Sequence, residues 1–127
     1  MSPDPRRSTG LLGEQLAARH LELAGYRILD RNFRTRFGEL DLVAESDACV
    51  VFCEVKTRVE GAGRGPAGPL DAVGDRKRRQ VRRMAGQWLA QSPGGRKWVP
   101  GLRYDVIGVI LDRRGALIAL EHVEEAF

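Results

Sequence analysis

Two short segments of alternating polarity, residues 39–44 (ELDLVA) and 49–58 (CVVFCEVKTR), constrain this chain more than any other feature. Successive side chains of a β-strand point to opposite faces of the sheet, so a period of two fixes which residues can meet. In the first segment Leu40, Leu42 and Ala44 share one face, and Glu39, Asp41 and Val43 the other. In the second, Cys49, Val51, Cys53 and Val55 share one face, and Val50, Phe52, Glu54 and Lys56 the other. Each strand therefore has one apolar and one mixed face. Between them Glu45-Ser46-Asp47-Ala48 favours a turn. An even-length turn, either Ser46-Asp47 or Glu45 to Ala48, matches apolar face to apolar face, whereas an odd one scrambles both. The even turn sets residue 41 opposite 52 and residue 39 opposite 54, with Asp41 diagonal to Glu54 at about 7 Å or less between Cβ atoms.

That register gathers Glu39, Asp41, Glu54 and Lys56 on one face. Carboxylates facing each other in a sheet repel, so a positive charge must compensate. Lys56 supplies one; a hard divalent cation supplies the rest. Mg²⁺ is the expected ion, with Mn²⁺ as its substitute, because it accepts one or two carboxylates while keeping waters and phosphate oxygens. The chemistry that needs such a set is phosphodiester hydrolysis. Asp41, Glu54 and Lys56 are the expected catalytic residues, and Lys56 would act on the attacking water or on the phosphate. The plain alternative is an amphipathic hairpin with a solvated polar face, but Val43, Val50 and Phe52 make that face only partly solvated and the carboxylates costlier there.

The remaining chain reads as a helix over residues 11–24, with Leu12, Leu16, His20 and Leu23 at helical spacing, a cap at Ser8 or Thr9, and Gly25 as its stop. Extended structure begins over residues 26–32. Residues 60–69 (EGAGRGPAGP) predict a mobile loop. A second helix is expected over residues 70–90, where Val81, Met84, Ala85, Trp88 and Leu89 form one apolar face. After Ser92-Pro93-Gly94-Gly95, strands follow at 103–111 and 116–120 around the turn Asp112-Arg113-Arg114-Gly115. The expected organisation is a disordered tail over residues 1–10 and a single domain over 11–127.

Hydrophobic residues make up 43% and charged residues 30% of the 127, which excludes global disorder and suits one core. No apolar run approaches the roughly 20 residues of a membrane span, and residues 1–10 lack an apolar signal core. A cytoplasmic protein without a membrane partner is expected. Cys49 and Cys53 are the only cysteines and read as buried thiols.

The net charge of +4 points to nucleic acid only if the basic residues cluster. They do cluster: Arg76, Lys77, Arg78, Arg79, Arg82 and Arg83 crowd the second helix, a ridge suited to backbone phosphates or simply a solvated face. Lys77 lies one turn before Val81 on the apolar stripe, so it either snorkels or reaches the edge of the acidic site. Arg34 and Arg36 could bracket a phosphate, although surface roles are equally expected. Trp88 reads as core, and Trp98 as an exposed residue able to stack on a base or serve an interface. His20 and His122 share no metal-ligand spacing, and Asp105 reads as structural.

Gly13-Glu14, residues 25–29 (GYRIL), Arg31-Asn32, residues 38–44 (GELDLVA) and residues 52–58 (FCEVKTR) resemble the bacterial YraN family of predicted endonucleases. The similarity continues through Ala72-Val73, Lys77, residues 85–89 and residues 103–107 (RYDVI), and departs in the first ten residues and the lengthened glycine loop. The resemblance implies an α/β, restriction-endonuclease-like fold, a mixed central β-sheet flanked by helices, with Asp41, Glu54 and Lys56 matching the metal ligands and lysine of the PD-(D/E)XK superfamily. By similarity to archaeal Holliday-junction resolvases, it also implies that Glu14 joins the metal site, beside Glu39 from strand parity.

Three functions from different classes follow. The first is an Mg²⁺-dependent endonuclease acting on structured or branched DNA, contacted through Arg34, Arg36, Lys77, Arg78, Arg79 and Arg82. The second is a nucleic-acid-binding module of the same fold without turnover, serving repair or recombination. The third is an interaction protein that dimerises through the loop around Trp98. Resolving a two-fold junction would also require a homodimer.

Overall fold

The computed structural model describes residues 5–61, 74–91 and 101–127. Its elements are α1 (Pro5–Leu23), β1 (Arg27–Thr35), β2 (Gly38–Glu45), β3 (Val50–Val59), α2 (Asp75–Gln91), β4 (Leu102–Leu111) and β5 (Leu117–Val123). All five strands join one sheet in sequence order. Only β3 and β4 run parallel, linked by the crossover that contains α2; the other neighbours are antiparallel. The protein is thus an α/β fold with a mixed sheet and a helix on each face, consistent with a restriction-endonuclease-like arrangement.

Helix α1 begins at Pro5, earlier than expected, so residues 5–10 are helical rather than a tail. Proline suits a first turn because its φ is already helical and its missing N–H has no intrahelical acceptor there. The helix ends as expected at Gly25, whose φ of 97° lets its N–H reach Glu22 O while Tyr26 N–H reaches Leu21 O. Its buried stripe is Gly13, Ala17, Ala18 and Leu21, whereas Leu23 is exposed. Small residues face the sheet because the helix lies close to it. A Cβ at Gly13 would run into the side chain of Thr57 on β3.

The described part of α2 starts at Asp75, after the non-helical Gly74. Val81, Met84, Ala85 and Trp88 are buried as the stripe predicts, and the Trp88 indole N–H donates to Asp30 on β1 at 2.9 Å. The glycine loop beyond residue 61, the expected helical residues 70–73, and Trp98 lie outside the described residues. Among the described residues no helix is long and apolar enough to cross a membrane.

Two apolar clusters flank the sheet. On the α1 side Ala17, Ala18 and Leu21 pack on Leu42, Ala44, Val51, Cys53, Ile107, Val109 and Leu111. On the α2 side Val81, Met84, Ala85 and Trp88 pack on Leu40, Val43, Val50, Phe52 and Val106. Cys53 is buried, and desolvation keeps its thiol protonated well above the usual range; Cys49 is half-buried, and both are free.

A polar chain ties the α1 layer to the far strands. Asp105, fully buried on β4, accepts from the Arg103 guanidinium at 2.8 Å and bonds the His122 ring at 2.7 Å. His122 Nδ1 in turn lies 3.1 Å from His20 Nε2 on α1, and Arg103 also donates to the Tyr26 hydroxyl at 2.7 Å. Burial by itself would raise the Asp105 pKa, but the His122 and Arg103 hydrogen bonds outweigh it and hold the carboxyl below its usual range. Its contribution to stability is therefore complete above pH 4 and is lost only under stronger acid. Asp105→Ala leaves Arg103 buried without its main partner, and urea unfolding should show a loss of about 3–5 kcal/mol at neutral pH.

Candidate metal and nuclease site

The turn between β2 and β3 has the even length that face matching demands, but it is Ser46 to Cys49. Glu45 pairs with Val50, Ala44 with Val51, Val43 with Phe52 and Leu42 with Cys53. The register is two residues away from the expected pairing of 41 with 52 and 39 with 54. Ser46 causes the difference. Its backbone N–H donates to Cys49 O at 2.9 Å, while its hydroxyl accepts from the Ala48 and Cys49 amides at 3.2 and 3.3 Å, so a closed turn over Ser46 to Cys49 replaces both expected turns, Ser46-Asp47 and Glu45 to Ala48. A shift of two preserves every facing relation in the paired segment.

Beyond Leu42 and Cys53 the ladder between β2 and β3 stops, although both strands continue. Asp41 occupies the gap. Its Oδ2 accepts the Val55 N–H at 2.8 Å, so a side chain takes the place of a neighbouring strand's carbonyl.

Asn32, on β1 between the pairs Arg31 with Leu42 and Phe33 with Leu40, has φ 53°. Asparagine is one of the few residues other than glycine that adopt this left-handed conformation. The alternation of faces slips at this point. Leu40 packs with Val43 and Phe52 on the α2 side, instead of sharing a face with Leu42 and Ala44 as strict parity requires. Glu39 is correspondingly released towards α1, so it meets Glu14 and not Glu54.

The result is a three-carboxylate cluster. Single oxygens of Glu14, Glu39 and Asp41 all lie within 4.8 Å of one another, and all three residues are half-buried. With its amide nitrogen turned towards the acids, Asn32 donates to Glu39 Oε1 at 2.6 Å and to Glu14 Oε2 at 2.9 Å. Sequence reasoning did not place Asn32 in the site; an asparagine flanked by strand residues and able to adopt positive φ was the available signal.

Glu54 approaches Asp41 from β3. Its Oε1 lies 3.0 Å from Lys77 Nζ on α2, while its Oε2 is buried and has no hydrogen-bond partner among the described residues. Lys77 thus reaches the acidic site, the second of its two expected placements. Lys56, two residues after Glu54 on β3, is half-buried and has no ion pair or hydrogen bond among the described residues.

Burial first, then the neighbouring Glu54, and to a smaller degree Glu14 and Glu39, push the Asp41 pKa from 3.8 up to about 7, against the opposing Val55 hydrogen bond. Burial likewise raises Glu14, with the Asn32 hydrogen bond opposing. Arg31 opposes that rise to a smaller extent. Lys77 serves Glu54, and Arg34 is a largely exposed partner 3.5 Å from Glu39. A cluster of three carboxylates, beside a buried Glu54 oxygen without a hydrogen-bond partner among the described residues, suits a hard divalent cation.

The basic residues divide. Arg36 and Arg83 lie over the Phe37 ring at the β1–β2 hairpin, and Gln80 donates to Phe37 O, which fixes the start of α2 to that hairpin. Arg78 pairs loosely with Asp75 at 3.9 Å, and Arg76 and Arg79 are exposed. Arg82 turns away, with its guanidinium donating to Phe127 O and lying over Tyr104. Arg34, Lys77, Arg78 and Arg82 thus have partners within the chain, Arg36 and Arg83 lie on Phe37, and Arg76 and Arg79 have no ion pair among the described residues.

Folded protein holds a proton on Asp41 that the unfolded chain gives up above pH 4. Stability of the metal-free protein should therefore fall as pH rises from about 4 to about 7 and level off beyond. Asp41→Asn should flatten that slope and raise the melting temperature at pH 8 by about 5 °C; an unchanged pH profile would place the strain elsewhere. Gly13→Ala should cost about 1–3 kcal/mol by forcing α1 off Thr57, and should weaken any Mg²⁺-induced rise in melting temperature because Glu14 moves with the helix.

Comparison with known proteins bears on the whole of this arrangement. The family model described as "Uncharacterised protein family UPF0102" matches residues 13–109, which span α1 to β4 and every acid of the site. A UPF0102 protein of Rhodococcus jostii is 44% identical over 93% of this chain and 94% of its own. One from Frankia casuarinae is 46% identical over the same shares, and one from Mycobacterium avium 50% identical over 86% of this chain and 82% of its own. Their names state the family and no activity. With Gly13, Glu14, Glu39, Asp41, Glu54 and Lys56 all inside the matched region, this chain belongs to the UPF0102 family, the YraN-like group its motifs resemble.

Proposed function

We propose that this protein is a divalent-metal-dependent endonuclease that hydrolyses phosphodiester bonds, with structured or branched DNA as its substrate. The convergence of Glu14, Glu39 and Asp41 within 4.8 Å carries the reading, because it sets three carboxylates at a spacing that one divalent cation can bridge in place of the proton on Asp41. The substrate rests on the likeness to junction resolvases and on the arginines around the β1–β2 hairpin and α2.

Glu14, Glu39, Asp41 and the free oxygen of Glu54 would hold the ion, Mg²⁺ or Mn²⁺. When bound, it would neutralise charge developing on the phosphate and acidify water. The chain's own groups do the rest. Asn32 holds Glu14 and Glu39 in place by its two N–H bonds, Val55 N–H fixes Asp41, and Lys77 fixes one oxygen of Glu54 so that the other points inward. Lys56, with three N–H donors and no described partner, donates to the phosphate or to the attacking water.

A second reading, a nucleic-acid-binding module without turnover, draws on the same Lys77–Glu54 pair, since it already neutralises one ligand. One experiment separates the two. Labelled junction, flap, single-stranded and linear DNA are incubated with and without Mg²⁺ or Mn²⁺, using wild type, Asp41→Ala, Glu54→Ala and Lys56→Ala. Metal-dependent cleavage should fall about a hundredfold or more in each variant. Cleavage that survives all three substitutions rejects this site, and salt-sensitive binding without cleavage selects the binding module.

A further inference from the structure

Strand β5 forms one edge of the sheet and, among the described residues, pairs with β4 alone. Residues 116–119 (ALIA) are all exposed, including Leu117 at 47% and Ile118 at 46%. Consecutive strand residues face opposite sides of a sheet. Both sides of this edge are therefore apolar and open, along with its row of backbone donors and acceptors. Natural edges are usually blunted by lysine, proline, an inward charge or a bulge. From Ala116 to Leu120 there is no charge and no proline, and the irregularity in this pair falls at Ile110 and Leu111 on β4.

The charges at the two ends of the strand indicate what covers it. Arg113 and Arg114 occupy the turn before β5, whereas Glu121 lies near its end and Glu124 just beyond; all four are exposed, and Glu124 also lies 3.6 Å from Arg103. A strand that is positive at its start, apolar in its middle and negative at its finish is complementary to its own reverse. With a two-fold axis between Ile118 and Ala119, Leu117 would pair with the other copy's Leu120, and the turn that carries Arg113 and Arg114 would lie beside the end of its β5, near Glu121 and Glu124. A closed two-fold contact across a sheet edge requires this antiparallel sense.

We propose that the occupant of the β5 edge is a second copy of this chain, joining two five-stranded sheets edge to edge into one continuous sheet. The interface is independent of the acidic site and of any catalytic activity. Another protein's strand could satisfy the backbone groups, but only a strand with the reverse charge order satisfies both ends at once.

The test is the solution mass of the full chain by sedimentation and light scattering across micromolar concentrations. Wild type should run at twice 14.1 kDa, and Ile118→Lys should dissociate it. Two charge-reversal variants give a second, surface-only readout, with circular dichroism confirming that each is folded. Arg113→Glu with Arg114→Glu, and Glu121→Arg with Glu124→Arg, should each weaken self-association by about tenfold or more. Mixed together, they should restore a dimer containing one of each. A monomeric wild type would overturn the proposal, as would a dimer indifferent to Ile118→Lys or a pair of reversed variants that fail to associate on mixing.

Discussion

The Asp41 carboxylate stands where a strand should be. It takes the Val55 N–H that a regular ladder would give to a backbone carbonyl, and so the parting of β2 from β3 leaves that buried amide partnered. Everything in the candidate site depends on that parting. It admits Glu54 from β3 and Glu39 from β2 on different sides of one opening, and it lets Glu14 of α1 approach over Gly13. The cost is a half-buried acid beside three others, visible in the raised pKa of Asp41. A chain selected only for stability would close the ladder and fill the gap with apolar side chains.

The facing relations were legible because one-residue slips are expensive. Leu42, Ala44, Val51 and Cys53 are each 1% exposed or less on one face, and any odd shift would bring them to the polar side. A two-residue shift carries no such penalty. The choice between the two even registers fell to the Ser46 hydroxyl, a local hydrogen bond that no hydrophobic pattern encodes. Strict alternation failed at Leu40 for a related reason. It assumes regular backbone on both partners, and Asn32 opposite Asp41 is not regular. The residue that broke the pattern is also the one that binds Glu14 and Glu39, which is where a functional site is expected to depart from local rules.

Residues far apart in sequence were the least legible. His20 and His122 share no spacing, yet they meet at 3.1 Å because α1 crosses the sheet as far as β5. Asp105 has Arg103 two residues away on the same face of β4, but nothing nearby in sequence announces Tyr26 and His122 as members of the same network. The phase of α1 was legible only in part. Of the residues at helical spacing, Leu12 and Leu16 pack at the margin of the α1-side core and His20 reaches His122, whereas Leu23 is exposed and the centre of the contact belongs to Gly13, Ala17, Ala18 and Leu21.

The two polar networks on α1 have opposite electrostatics, and the contrast explains how one helix serves both. Midway along it, Glu14 joins a cluster in which burial raises carboxyl pKa values. Near its end, His20 joins a chain in which Asp105 is held below its usual range by His122 and Arg103. A helix is stiff over this length, so a firm anchor at its C-terminal end limits the drift of its N-terminal half. Repulsion within the acidic cluster would otherwise push Glu14 outward and open the gap. The satisfied network thus steadies the helix on which Glu14 meets Glu39 and Asp41.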